Sequence, residues 1–250
     1  MSAISEITFK VERLPIAPRP QFCAAQDLLP RSKYIGAGSN FESIMSFANK
    51  LLAVTGGASG IGRATTETLV GEGATVYIAD LNTTAGKELE SQFPGQVFFQ
   101  QTDVSSEEQV KSFFETVKKA GVLYGAVNAA GINMPGTFLH ETTTEFYKKT
   151  ISVNLDGTYF CLREEVKILF EQGKGGAVVN VSSGSGMIGR PKATAYCSSK
   201  HALAGLTKAA ALEYAEHNIR VNAVAPGMSE RRWRLMIRCD WISIDARNYQ

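Results

Sequence analysis

The sequence predicts an α/β fold: a doubly wound parallel sheet of about six strands in three α/β/α layers. Three observations carry this expectation. Along residues 45–228, short continuous apolar runs alternate with longer stretches of helical periodicity, the pattern of parallel strands covered on both faces. A glycine-rich turn, "TGGASGIG" from Thr55 to Gly62, separates the first run from the first helical stretch. An acidic residue, Asp80, closes the second run. Folds of this kind bind ligands at the carboxyl ends of their strands.

In chain order, residues 1–44 come first. They hold Pro15, Pro18, Pro20 and Pro30, four of the eight prolines, and show no sustained periodicity. They read as a disordered N-terminal extension. Met45 opens a new texture, "MSFANKLLAVTGGASGIG", and is a plausible initiator; a loosely packed N-terminal arm is the equal alternative. Strands are expected at Leu51–Thr55, Thr75–Ala79, Val97–Gln101, Gly125–Asn128, Ala177–Val181 and Val221–Ala225. The first helix begins near Ile61, and Gly73 marks its end. Ser105-x-x-Glu108 and Thr142-x-x-Glu145 each fit a capping box and so mark further helix starts.

Composition removes several function classes. The net charge is +2, too small a field to suggest nucleic acid or an anionic membrane as partner. No apolar run approaches the ~20 residues that a membrane helix needs, and the head lacks a secretory core. Cys23, Cys161, Cys197 and Cys239 form no CxxC pair, and His140, His201 and His217 have no metal-ligand spacing. Reduced thiols in a cytoplasmic protein without a metal are the expectation.

The glycine turn carries the first chemistry. Gly56, Gly60 and Gly62 allow a tight turn and a close approach to a pyrophosphate, and the following helix supplies free N–H groups and a favourable dipole. Asp80 lies 18 residues after Gly62, where its carboxylate can accept from a ribose diol and repel a 2′-phosphate. That favours NAD over NADP; a loop residue capping the next helix is the alternative. No Gly-Lys-Ser/Thr follows the turn, which excludes a nucleoside-triphosphate loop.

The second stretch with chemistry is "VVNVSSGSGMIGRPKATAYCSSKHALAGL". Tyr196 and Lys200 are four apart on a predicted helix and so share a face. An ammonium beside a phenol favours the phenolate and suits the phenol to proton transfer. Ser183 stands at a strand end, 13 residues before Tyr196, where its hydroxyl can hydrogen-bond a substrate carbonyl. Ser182 is its rival, on the opposite side if the strand continues.

From about Asn49 to Gly227 the sequence resembles the short-chain dehydrogenase/reductase family, with its Rossmann-type fold. "TGGASGIG" is similar to the family's cofactor loop, Asp103-Val104 to its adenine contact, and "NAAG" at 128–131 to its strand-four motif. Asn154 in "SVNLDGTYF", Ser183 with "YCSSK", and Pro226-Gly227 complete the match. The resemblance implies a cofactor site of Gly56, Ser59, Gly60, Ile61, Gly62, Asp80, Leu81, Asp103, Val104, Asn128, Ala129, Gly131, Tyr196, Lys200, Pro226 and Gly227. It implies Tyr196 as general acid/base, Lys200 as its tuner and ribose ligand, Ser183 as the carbonyl contact and Asn154 as holder of a relay water. An Asn within a helix also has a structural use, satisfying backbone groups. The implied activity is interconversion of a secondary alcohol and a ketone by hydride transfer, in a homodimer or homotetramer.

After Met228 the texture changes again. Residues 45–228 carry 12 Lys and four Arg, whereas residues 229–250 carry five Arg, no Lys and both tryptophans. The family's substrate-covering segment and seventh strand are not recognisable there. The strand at Val221–Ala225 is therefore expected to be a bare sheet edge. The alternative function is a truncated, catalytically silent variant that keeps nucleotide or subunit binding.

Overall fold

The computed structural model of the chain describes residues 47–133 and 136–227, together with the backbone of residues 241–242. The chain divides into two units, Met1–Ile44 and Met45–Gln250. The expected disordered head, the proposed start at Met45, and the arginine-rich tail apart from residues 241–242 lie outside the described residues.

The second unit alternates strand and helix as expected: β1 (Leu51–Thr55), α1 (Gly60–Gly71), β2 (Thr75–Asp80), α2 (Thr83–Gln92), β3 (Val97–Gln101), α3 (Glu107–Ala120), β4 (Leu123–Asn128), α4 (Thr144–Ile151), α5 (Gly157–Gln172), β5 (Gly176–Val181), α6 (Thr194–Tyr214) and β6 (Ile219–Val224). These six strands are parallel, in the order β3-β2-β1-β4-β5-β6. The order reverses between β1 and β4, which opens a crevice at their carboxyl ends.

Strand alternation explains why both faces are apolar. Leu51 and Ala53 of β1 join a core with Phe113, Leu162 and Ala210 from α3, α5 and α6. Leu52 and Val54 join the opposite core with Leu69 and Leu89 from α1 and α2. Successive residues point to opposite faces, so a strand covered on both sides needs apolar residues throughout. The apolar runs in the sequence express that need.

Three details differ from the sequence reading. The cap of α3 is Ser106, whose side chain accepts from Gln109 N–H, and not Ser105, whose hydroxyl is held by Asp103 Oδ1 at 2.6 Å. The cap of α4 is Thr143, and not Thr142, whose hydroxyl donates to the Phe138 carbonyl at 3.1 Å. The outer edge of β6 is not wholly bare. Trp241–Ile242 forms a short strand, β7, which pairs antiparallel with Ala223 and Val224.

Candidate functional site

A cleft of about 920 Å³ opens at the carboxyl ends of the strands on either side of the β1/β4 reversal. Its first wall is the glycine turn between β1 and α1. Gly56 has φ +66°, and a Cβ there would lie 2.7 Å from Ala130 N. A Cβ on Gly62 would overlap the Gly56 carbonyl oxygen. Only glycine fits the first position, by conformation and by space, and the second by space alone. Ser59 caps α1 without a side-chain hydrogen bond, and no acidic residue stands in the first turn. The helix dipole and its first amides are thus offered to an anion.

Asp80, at the end of β2, turns its carboxylate toward this wall. Oδ2 accepts from Ala58 N–H at 3.0 Å, and Oδ1 from Asn82 N–H at 2.9 Å. Each oxygen keeps a lone pair for a further donor. Asp103 lies beyond β3. Burial works against its charge, but two bonds from Ser105 and the Lys149 charge outweigh that, so its carboxyl sits below the ordinary value. Val104 is buried beside it, against Gly157, where a Cβ would stand 2.8 Å from Val104 Cγ2.

The opposite wall comes from β5 and α6. Lys200 is almost fully buried, and its Nζ donates to the Val181 carbonyl at 2.8 Å. Burial lowers its pKa to about 8. Nζ lies 5.8 Å from the centre of the Tyr196 ring, as the four-residue spacing predicts. A Cβ on Gly131 would stand 3.6 Å from the same Nζ, so a small residue there keeps that space open. The Ser183 hydroxyl accepts from Ser185 N–H at 3.1 Å, and its proton is free to donate elsewhere. Ser182 is buried and donates to the Lys200 carbonyl at 3.2 Å. Gly184 N–H reaches the Pro226 carbonyl at 3.0 Å, tying the serine loop to the Pro226-Gly227 turn.

Of the residues singled out in the sequence, Gly56, Ser59, Gly60, Ile61, Asp80, Leu81, Asp103, Val104, Ala129, Gly131, Ser183 and its rival Ser182, Tyr196, Lys200, Pro226 and Gly227 line this one cleft. Gly62, Asn128 and Asn154 do not. Gly62 acts through the turn it permits. Asn128 is buried beneath the wall, bonded to Glu165 and Asn180. Asn154 is fully buried in the single π-turn Ser152–Asp156 that joins α4 to α5. Its side chain brackets Ile132, accepting from N–H at 2.7 Å and donating to C=O at 2.9 Å, and it reaches Ser199 at 3.2 Å. Both amide protons are therefore used structurally. Ile188 and Arg190 also line the cleft, and the sequence reading missed them. Their only signal was their place in the loop between Ser183 and Tyr196.

The cleft fits a dinucleotide: a glycine cradle that a Cβ would fill, an uncapped helix start, and the carboxylates of Asp80 and Asp103 in the lining. Comparison with known proteins agrees. The family model for short chain dehydrogenases matches residues 50–234. A 2,5-dichloro-2,5-cyclohexadiene-1,4-diol dehydrogenase of Sphingobium indicum is 40% identical over 181 residues, 72% of each chain. A cyclohexanol dehydrogenase of an Acinetobacter species is 36% identical over 192 residues, covering 74% of this chain and 76% of that one. The crystal structure of levodione reductase superposes with a TM-score of 0.70 at 34% identity, covering 72% of each chain. The chain belongs to the short-chain dehydrogenase family, oxidoreductases that act on CH–OH groups.

Proposed function

We propose that the protein interconverts a secondary alcohol on a ring and the matching ketone, with NAD(H) preferred over NADP(H). The observation that carries this is the convergence of Ser183, Tyr196 and Lys200 on one wall of the cleft, across from the glycine turn. The ring preference is supported by the relatives' substrates and by the apolar Met187 and Ile188, both largely exposed in the loop after Ser183. The NAD preference is supported by Asp80, whose charge faces the glycine turn and opposes a 2′-phosphate.

A bound NAD would supply the acceptor for the hydride of the carbinol carbon. The chain's own residues handle the proton and the position. The Ser183 hydroxyl donates to the substrate oxygen and holds it near Tyr196. The Tyr196 phenolate takes the hydroxyl proton as the carbon–hydrogen bond breaks, and the phenol returns it in the reverse direction. Lys200, held by the Val181 carbonyl, stabilises that phenolate and would hold the nicotinamide ribose. The cofactor-side contacts are those of the glycine turn, Asp80, Leu81, Asp103 and Val104. The exposed Tyr147, Tyr159, Phe170 and Leu212 on α4, α5 and α6 support a homodimer or homotetramer.

Initial rates on cyclic and open-chain secondary alcohols test the reading, alongside NADH and NADPH titrations. Ring alcohols turned over faster, with NAD, support it. Binding of NADH with no turnover on any alcohol would replace it with a binding-only role.

A further inference from the structure

Below the cleft wall, five buried polar side chains form one network between the sheet and helices α5 and α6. Asn128 Nδ2 donates to Glu165 Oε2 at 2.9 Å and to Asn180 Oδ1 at 3.0 Å. Asn128 Oδ1 accepts from the Thr55 hydroxyl at 3.3 Å. Asn180 donates in turn to Thr207 at 3.0 Å. All five are at most 2% exposed. The network also reaches the cleft. Ala130 N–H donates to Thr55 Oγ1 at 3.4 Å, and Ala129 N–H to the Thr55 carbonyl at 3.0 Å. Ala129 to Ile132 line the cleft directly.

The direction of these bonds gives Glu165 a purpose. Two acceptors, Glu165 and Asn180, fix which end of the Asn128 amide is the NH₂ group. That turns Oδ1 toward Thr55 and commits the Thr55 proton to it. Thr55 Oγ1 is then left as an acceptor for Ala130 N–H. Glu165 has no cation partner among the described residues, and its Oε1 is the only buried side-chain oxygen or nitrogen there without a hydrogen-bond partner. A buried carboxyl with one oxygen left unpartnered costs stability rather than supplying it. Its value lies in orienting Asn128.

We propose that Glu165 is a positioning residue for the dinucleotide cleft: through Asn128 and Thr55 it fixes Ala130 in the cleft wall, whose far end, Ile132, is held by Asn154. The proposal rests on the dinucleotide reading of the cleft. Glu165→Leu keeps the volume and removes the acceptor, whereas Glu165→Gln keeps an acceptor for Asn128. Thr55→Val cuts the same path at its far end.

The test uses the full 250-residue chain, with two readouts: amide hydrogen exchange without ligand, and NADH titration. Glu165→Leu and Thr55→Val should each speed exchange at Ala130, relative to β2 and β3, and weaken NADH binding roughly five- to tenfold, the worth of about one hydrogen bond. Glu165→Gln should restore both to within about twofold of wild type. Exchange rising evenly across the sheet would reduce Glu165 to a structural residue and overturn the proposal. So would a Gln variant no better than Leu, or a Thr55→Val chain in which Ala130 stays protected. Wild type failing to bind NADH would sink the dinucleotide reading alone, because exchange at Ala130 still decides the link from Glu165.

Discussion

Replacing Glu165 by glutamine should remove a large pH dependence of stability while leaving the fold intact. Burial raises the Glu165 carboxyl from an ordinary 4.5 to about 8, only partly offset by the bond from Asn128. Between those values the folded chain keeps the proton and the unfolded chain releases it. Stability is therefore fully present below pH ~4.5 and is lost as pH rises to about 8. At 1.36 kcal/mol per unit, the loss over that window is on the order of 5 kcal/mol. That is a large fraction of a typical domain's stability and corresponds to roughly 10–20 °C in Tm for a domain of this size. The neighbouring Cys161 thiol is itself pushed up by burial and by Glu165 and Glu164, so it stays neutral through the window and adds no slope. Glutamine cannot ionise. The assay is thermal and denaturant unfolding of wild type and Glu165→Gln from pH 5 to pH 8. The variant should gain on wild type steadily as pH rises, whatever constant offset the substitution brings. Parallel profiles would refute the reasoning and show that the carboxyl is solvated or paired.

The other predictions concern the cleft. Ser183→Ala should lower turnover by ~10²-fold or more, as loss of an oxyanion donor does, whereas Ser182→Ala should act on stability, since its hydroxyl is committed to the Lys200 carbonyl. The reverse ranking in rate assays would show that the wrong serine is assigned. Asp80→Ala should narrow the NADH-over-NADPH preference and loosen the glycine turn by removing the acceptor of Ala58 N–H; an unchanged ratio in paired titrations would discard its selective role. Lys200 is lowered to about 8 by burial, so it contributes stability above pH ~10.5 that is lost as pH falls toward 8. Lys200→Met should flatten that alkaline slope in unfolding experiments, and a persisting slope would contradict the burial.

Most strands were legible because they are covered on both faces and so show short, continuous apolar runs. Their starts were less so. β4 and β6 begin two residues earlier than the apolar runs, where exposed Tyr124 and Arg220 sit at the sheet's amino edge and interrupt the pattern. Helix caps slipped by one residue because a capping rule sees Ser and Glu at the right spacing but not the competitor, here Asp103, that already holds Ser105. The cleft was readable where backbone geometry restricts residue type, as at Gly56 and Gly62, or where two side chains share a helix face, as Tyr196 and Lys200 do. Asn128 and Asn154 were found, but their motifs do not show what their side chains bond: Asn128 meets Glu165 and Asn180 beneath the wall, and Asn154 holds the wall residue Ile132. Glu165 was invisible, because a lone carboxylate in a helix reads as a solvent-facing residue until α5 is seen packed against β4.

Following the hydride itself tests the account most directly. A cyclic secondary alcohol carrying deuterium on its carbinol carbon is incubated with NAD and the purified chain, and the NADH formed is examined by mass spectrometry. The account predicts deuterium in the NADH with wild type, and none with Tyr196→Phe. Unlabelled or absent NADH with every ring alcohol, or undiminished transfer in Tyr196→Phe, would contradict it.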